Sequence, residues 1–261
     1  MFKQKSIQHK LLIAVSLVVL IIILLSSFLY YNSSKNILQN ILIKEAETTV
    51  SKNSENIDQW INEKKVLLET LTNINSVQGL NWLSAQLILR RTQENTNFMD
   101  IMLVEKNGRY KATSGGFGDI SEKAYFKEAL NKNRTSISKI YQDYFTKKMV
   151  FAIAAPITDD YDKLQGVLAG VIELENIQKL TKNLKLNGSG YGMILNQDLK
   201  LLAHPEKELI ANSDFYKNSK RGFQTILDKI NKNDKFTTTF QQNSTSNIIT
   251  STKIDSTNWT L

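Results

Sequence analysis

With 261 residues, the chain can hold one large domain or two modest ones. It contains no cysteine, which excludes disulfides, thiolate metal sites and a cysteine nucleophile. Its formal net charge of +8 comes from basic residues scattered among acidic ones, not from the continuous stripe a nucleic acid would need, so no nucleic-acid partner is expected.

Residues 11–31, LLIAVSLVVLIIILLSSFLYY, carry no charge. As a helix they would be about 30 Å long, matching a hydrocarbon core of roughly that thickness. The run is longer than the ~7–15 apolar residues of a cleaved signal peptide, and no A-x-A-like site follows it, so it reads as an uncleaved anchor. Lys3, Lys5 and Lys10 precede it, which puts residues 1–10 in the cytoplasm and residues 32–261 outside. Phe28, Tyr30 and Tyr31 fall where such a span meets the outer interface.

No glycine or proline occurs before Gly79. Leu38, Leu42, Ala46, Val50, Ile57, Trp60, Ile61, Leu67, Leu68 and Leu71 recur at helical spacing, predicting a stalk helix within residues 32–78. From Ser34 to Leu71 it would rise nearly ~60 Å. The stripe weakens at Asn53 and Ser54, against a perfect coiled coil.

After the stalk, NWLSAQLILRRT predicts a short helix with Trp82, Leu83, Leu87 and Ile88 on one side. FMDIMLVEKNGRYKAT then predicts a β-hairpin about an Asn107-Gly108 turn. The pattern returns further on: Ile101–Val104 line up with Gly192–Leu195, and Ala112 with Ala203. A duplicated α/β module is expected, spanning residues 79–185 and 186–261. In the first, DISEKAYFKEAL predicts a helix from Ser121 to Asn133. TSISKIYQDYFTKKMVFAIAAPITDD and LQGVLAGVIEL then predict antiparallel strands, with a turn at Asp159–Asp162. ENIQKLTKNLKL predicts a connecting helix. The second module runs from Gly188 to strands in KFTTTF, NIITSTKI and NWTL. The fold class is α+β.

The phrases DISEKAYFKEAL, AAPITDDYDKLQGVLAGVIEL and GSGYGMILNQDLKLLAHPEKELI, behind a single span and a glycine-free helix, make residues 11–261 resemble a known family. This is the double Cache (dCache) sensing region of bacterial transmembrane receptors, most often methyl-accepting chemotaxis proteins. The resemblance implies two PAS-like antiparallel sheets stacked along the long helix, with ligand held in the membrane-distal module. It places Lys123 where the family has an arginine that grips a ligand carboxylate, and Tyr125 and Phe126 at its two aromatic positions. Tyr141 and Asp143 match its Tyr-x-Asp strand signature, which holds a ligand ammonium. A further acid is expected after GVLAG, and there this sequence has Val171.

Read as residues, Lys123 is also a candidate for a solvated helix charge paired with Glu122, and lysine offers a point charge without arginine's bidentate fork. Adjacent helical residues diverge by ~100°, so at most one of Tyr125 and Phe126 should face a pocket squarely. Tyr141 and Asp143 share a face if residues 139–145 form a strand, and an aromatic beside a carboxylate suits an ammonium. Ser114–Gly118 is glycine-rich but lacks the Lys-Ser/Thr of a phosphate cradle, and is expected as a loop over the pocket. His204 has no second His nearby and reads as structural. No nucleophile elbow is present, so no catalytic residue, metal ligand or cofactor is expected.

The expected function is the ligand-sensing region of a chemoreceptor, binding an amino acid, amine or organic acid and signalling as a homodimer joined through the stalk. Chemotaxis signalling proteins would engage only a cytoplasmic part outside this chain. A sensor of a histidine kinase or diguanylate cyclase, or a membrane-anchored scaffold, are the alternatives. A second span beyond Leu261 is expected for a receptor, so the chain reads as a fragment.

Overall fold

The computed structural model describes residues 7–181, 184, 190–211, 221–242 and 245–261, in two units, 1–48 and 49–261. Helix α1 is Ile7–Thr72. Its sequence contains neither of the residues that break helices, which is why the helical pattern runs on so long. In the first unit, residues 11–31 are exposed and uncharged, long and apolar enough to cross a membrane.

In the second unit, α1 carries Ile57, Ile61, Leu68 and Leu71 into the core. The polar interruption in its stripe is occupied differently from the rest. Ser54 is buried, and its Oγ donates to the Lys253 carbonyl at 2.8 Å. Asn53 closes onto its own helix, donating to the Thr49 carbonyl at 2.8 Å.

Two short helices follow, α2 (Asn75–Gln78) and α3 (Trp82–Asn95), the latter capped by the Asn81 side chain accepting from the Ser84 amide at 3.3 Å. The buried side of α3 is Ala85 and Leu89, whereas Leu83 and Leu87 face outward. The expected grouping of Trp82, Leu83, Leu87 and Ile88 is therefore corrected. Small Ala85 lets the helix approach closely, and the i, i+4 pair it makes with Leu89 defines the inner face.

The first sheet contains β1 (Phe98–Glu105), β2 (Arg109–Ala112), β3 (Phe117–Asp119), β4 (Ser136–Ile137), β5 (Tyr141–Gln142), β6 (Met149–Thr158) and β7 (Leu164–Glu173). The order is β3-β2-β1-β7-β6-β4, with β5 also pairing β6, and the pairs are antiparallel. The expected hairpin is present: Gly108 has φ +90, and any Cβ there would lie 2.5 Å from Ser121. Pro156 sits inside β6, past the last β4 pairing at Ala154, so its missing N–H costs no ladder bond.

The period-2 alternation of the central strands divides the sheet into two faces. Ile101, Leu103, Phe151, Ile153, Leu168 and Ile172 join the core built on α1 and α3. Met102, Val150, Ala152, Ala154, Ala169 and Val171 lie on the other face, under helix α4 (Ala124–Lys132). Gly170 lets α1 come close, because a Cβ there would stand 2.4 Å from the Phe98 ring and 3.0 Å from Leu68.

Helix α4 begins later than the sequence suggests, with Lys123 in the extended N-cap position (φ −73, ψ 128) and no side-chain cap. Asn133, left-handed at φ 44, ends it. Helix α5 (Leu174–Thr181) leads to the second sheet; part of the expected connecting helix, and Gly188, lie outside the described residues.

The second sheet has β8 (Ile194–Leu195), β9 (Leu201–Ala203), β10 (Lys235–Gln242), β11 (Thr245–Ile254) and β12 (Trp259–Thr260), in the order β10-β11-β12-β8-β9. Helices α6 (Lys207–Ala211) and α7 (Arg221–Lys232) belong to the same module, and α7 contributes Leu227 and Ile230 to a core on one face of the sheet. The repeated hairpin is there with its register moved by one: Ile194, not Met193, stands opposite Ala203. Ile194, Ala203, Ile254 and Trp259 join the stalk core, and Trp259 meets Phe151 edge-on at 5.3 Å. The two antiparallel sheets and the long helix bear out the α+β expectation.

Candidate functional site in the first module

Helix α4 and the sheet face beneath it bring four of the five sequence-selected residues to one place and set the fifth at its edge. Tyr125 and Phe126 are both buried in the same cluster. They lie on the first turn of a helix laid across small residues, Ala152, Ala154 and Ala169, which leave room for adjacent rings to enter together.

Tyr125 stacks on Tyr141 with ring centroids 6.5 Å apart and planes 10° from parallel. Lys123 does not pair with Glu122, whose carboxylate instead takes Lys127 at 2.7 Å. Its Nζ lies 5.5 Å from the centre of the Tyr141 ring, within cation–π range. An N-cap residue points off the helix start, which is how Lys123 reaches the neighbouring hairpin.

The strand holding Tyr141 is short, so Asp143 lies in the turn beyond β5 and not on a strand. The residue is still held in the hairpin, its amide donating to the Lys148 carbonyl at 2.8 Å. One carboxylate oxygen, Oδ2, accepts from the Phe145 amide at 3.2 Å, the Thr146 amide at 2.7 Å and the Thr146 hydroxyl at 2.8 Å. Among the described residues, the hydrogen bonds to the carboxylate all fall on Oδ2 and none on Oδ1. Burial acts to raise the Asp143 pKa, but the hydrogen bonds from Thr146 and Phe145, with Lys147 nearby, outweigh it and hold the carboxyl below its ordinary value.

Three phenols share this environment. Burial pushes the Tyr125 hydroxyl strongly upward, with Tyr141 and Tyr110 adding to it. Burial likewise raises Tyr141 and Tyr110, and Asp143 raises both further. All three stay neutral and can both donate and accept hydrogen bonds.

Val171 is apolar where an acid was looked for, but the register places Asp100 of β1 directly opposite it. Asp100 is spoken for: its Oδ1 accepts from the Ile101 and Ser114 amides and the Thr113 hydroxyl, and its Oδ2 from the Ser114 hydroxyl at 2.6 Å. It fixes the start of the glycine-rich Ser114–Gly118 segment and adds to the negative potential at Tyr110. Asp100 and Tyr110 escaped the sequence reading. Tyr110 was findable, since it is two residues from Ala112 on the predicted hairpin; Asp100 faces the site only through its cross-strand pairing.

His204 belongs to the second module and is buried, its Nδ1 accepting from the Glu206 amide at 3.0 Å beside the Tyr191 ring. That accounts for it structurally.

The arrangement is dipolar: one ammonium and one carboxylate flank the Tyr141 ring, with neutral hydroxyls between them and an apolar floor of alanines. It suits a small molecule carrying both a hydrogen-bonding anionic end and a cationic end.

The Cache domain family matches residues 34–261. Over 223 residues the chain is 26% identical to the methyl-accepting chemotaxis protein PctB of Pseudomonas aeruginosa, covering 82% of this chain and 34% of that protein. It is 24% identical over 217 residues to the methyl-accepting chemotaxis protein McpA of Bacillus subtilis, covering 80% of this chain and 32% of that one. The chain thus spans about a third of the length of these relatives. The sensory domain of the Campylobacter jejuni chemoreceptor Tlp3, solved with isoleucine bound, shares the fold at a TM-score of 0.70 and 20% identity, over 87% of this chain and 93% of that one. So does the ligand-binding domain of the Pseudomonas aeruginosa amino acid chemoreceptor PctC in complex with GABA, at a TM-score of 0.64 and 19% identity, over 87% and 97% of the two chains.

Proposed function

The chain belongs to the Cache domain family, and from that premise we propose that residues 32–261 are the extracytoplasmic sensing region of a transmembrane chemoreceptor. Residues 11–31 anchor it, with the preceding lysines on the cytoplasmic side. The distal site between α4 and the β5–β6 hairpin takes a small zwitterion of the amino-acid type. The observation that carries this reading is the Tyr141 ring, flanked by the Lys123 ammonium and by a carboxylate with one oxygen unengaged. Lys123 receives the ligand carboxylate, Asp143 Oδ1 the ligand ammonium, and Tyr125, Tyr110 and Phe126 shape the space between.

The site is wired to the stalk. The Ser136 hydroxyl donates to the Tyr125 carbonyl at 2.6 Å, and the neighbouring Thr135 hydroxyl donates to Glu69 on α1. A ligand that draws α4 towards the hairpin pulls on this connection. It shifts the stalk only to the extent that it binds one arrangement better than the other. Signalling through a stalk homodimer to chemotaxis proteins on the cytoplasmic side completes the proposal.

A thermal-shift screen of the chain against amino acids, amines, organic acids, sugars and purines tests it. A ligand at 100 times its Kd should add about 2.7 kcal/mol of stability. A hit lost in both Asp143→Ala and Lys123→Ala supports the distal site; a hit that survives both variants, or no hit among the amino acids, overturns the zwitterion reading.

A further inference from the structure

Between the two modules and α1 lies a cleft of about 940 Å³, walled on one side by α4 from Ala124 to Asn133. We propose that this cleft is a binding site for an uncharged, polyhydroxylated molecule of the sugar class, distinct from the zwitterion site although Tyr125 borders both.

Its lining is unusually polar for a small-molecule pocket, which ordinarily is mostly apolar. The charges on its walls are largely committed within the protein. Asp58 of α1 accepts from the Ser256 amide at 2.6 Å and from Asn62 at 3.0 Å. Glu128 takes Lys132 and Arg134, and Lys139 of the first module faces Asp198 of the second at 3.8 Å. Glu69 accepts from the Thr135 hydroxyl, and the remaining Lys65 and Asp255 are opposite in sign. Five carboxylates against three cations leave these walls with an acidic balance, which repels an anion and offers acceptors to hydroxyl groups.

What the cleft does offer is neutral hydrogen-bonding groups from separate elements. Asn258 lies in the turn between β11 and β12, Gln197 in the turn between β8 and β9, and Asn133 at the end of α4. Each amide presents a donor pair beside an acceptor, which matches the paired donor and acceptor character of vicinal hydroxyls. Ser256 also borders the cleft, and its buried Oγ has no partner among the described residues, an uncommon state for a buried hydroxyl. Trp259, Ile137 and Pro156 supply a limited apolar floor for the carbon face of a ring. A ligand seated here touches both modules and the stalk at once, so its occupancy would fix their junction.

The test uses the full 261-residue chain in lipid nanodiscs, titrated with D-glucose, D-galactose, D-ribose, maltose and sucrose by calorimetry and by melting. The expected result is saturable binding of at least one sugar, with apparent affinity falling about tenfold in Asn258→Ala and in Gln197→Ala, the loss of roughly one hydrogen bond each. Both side chains are exposed, so the variants should melt as the parent does without sugar; if one does not, Asn62→Ala replaces it as the third wall of the cleft. Lys123→Ala should bind the sugar unchanged. No saturable binding by any of the five sugars, undiminished binding in the cleft variants, or loss in Lys123→Ala overturns the proposal. Because the zwitterion site is read out with amino acids and its own variants, either reading can fail alone.

Discussion

At the scale of single residues, Asp143 has two duties that substitution can separate. Its Oδ2 holds the hairpin turn, while Oδ1 is available to a ligand. Asp143→Asn keeps an acceptor for the turn but removes the charge, so it should lower the melting point slightly, by the stability the ionised carboxyl contributes, and weaken an ammonium-bearing ligand at least about tenfold, as calorimetry would show. The depressed carboxyl also fixes a pH dependence. The group gives up its proton more readily folded than unfolded, so its contribution to stability is present above the ordinary value of 3.8 and is lost as pH falls through the lower folded value. Ligand affinity should accordingly be flat from neutral pH down to that value and fall below it; a decline beginning near pH 6 would point to another titrating group. Lys123 is exposed, and Lys123→Gln should cost a carboxylate ligand affinity with little change in stability.

At the scale of elements, the close approach of α1 to the first sheet depends on one missing side chain. Gly170→Ala would drive a methyl group into Phe98 and Leu68, and should destabilise the chain by about 1–3 kcal/mol in a denaturant titration. Ser54 shows the opposite logic, a polar residue kept in an apolar stripe because it reaches the Lys253 carbonyl. Ser54→Ala leaves that carbonyl with one fewer donor, and should lower stability by about 1 kcal/mol, with faster amide exchange in β11 and β12. The stalk stripe was legible in the sequence because helical spacing repeats over many turns. The inner face of α3 was not, because four apolar residues offered two rival stripes and only packing against β1 chose Ala85 and Leu89.

At the scale of the molecule, the two modules share a core through α1, and Phe151 of the first meets Trp259 of the second. Phe151 is fully buried, so Phe151→Ala should cost about 3–5 kcal/mol. Because the core is common, residues 49–261 should still melt in one transition, with tryptophan emission and far-UV circular dichroism coinciding; two separated transitions would mean the modules fold independently.

The sequence by itself determined the apolar span, the long helix, the α+β class and the hairpins, because each is written in short-range periodicity and turn chemistry. It also drew attention to Lys123, Tyr125, Phe126, Tyr141 and Asp143 through the phrases that contain them. Tertiary structure decided how these residues are used. The late start of α4 made Lys123 an N-cap residue able to reach Tyr141, and the short β5 strand put Asp143 into a turn that engages only one of its oxygens. Strand register, which no local pattern encodes, set Asp100 opposite Val171, and the stacking of the modules along α1 made the cleft between them. Those outcomes depend on contacts between residues far apart in the chain, where the energy of packing outweighs local preference.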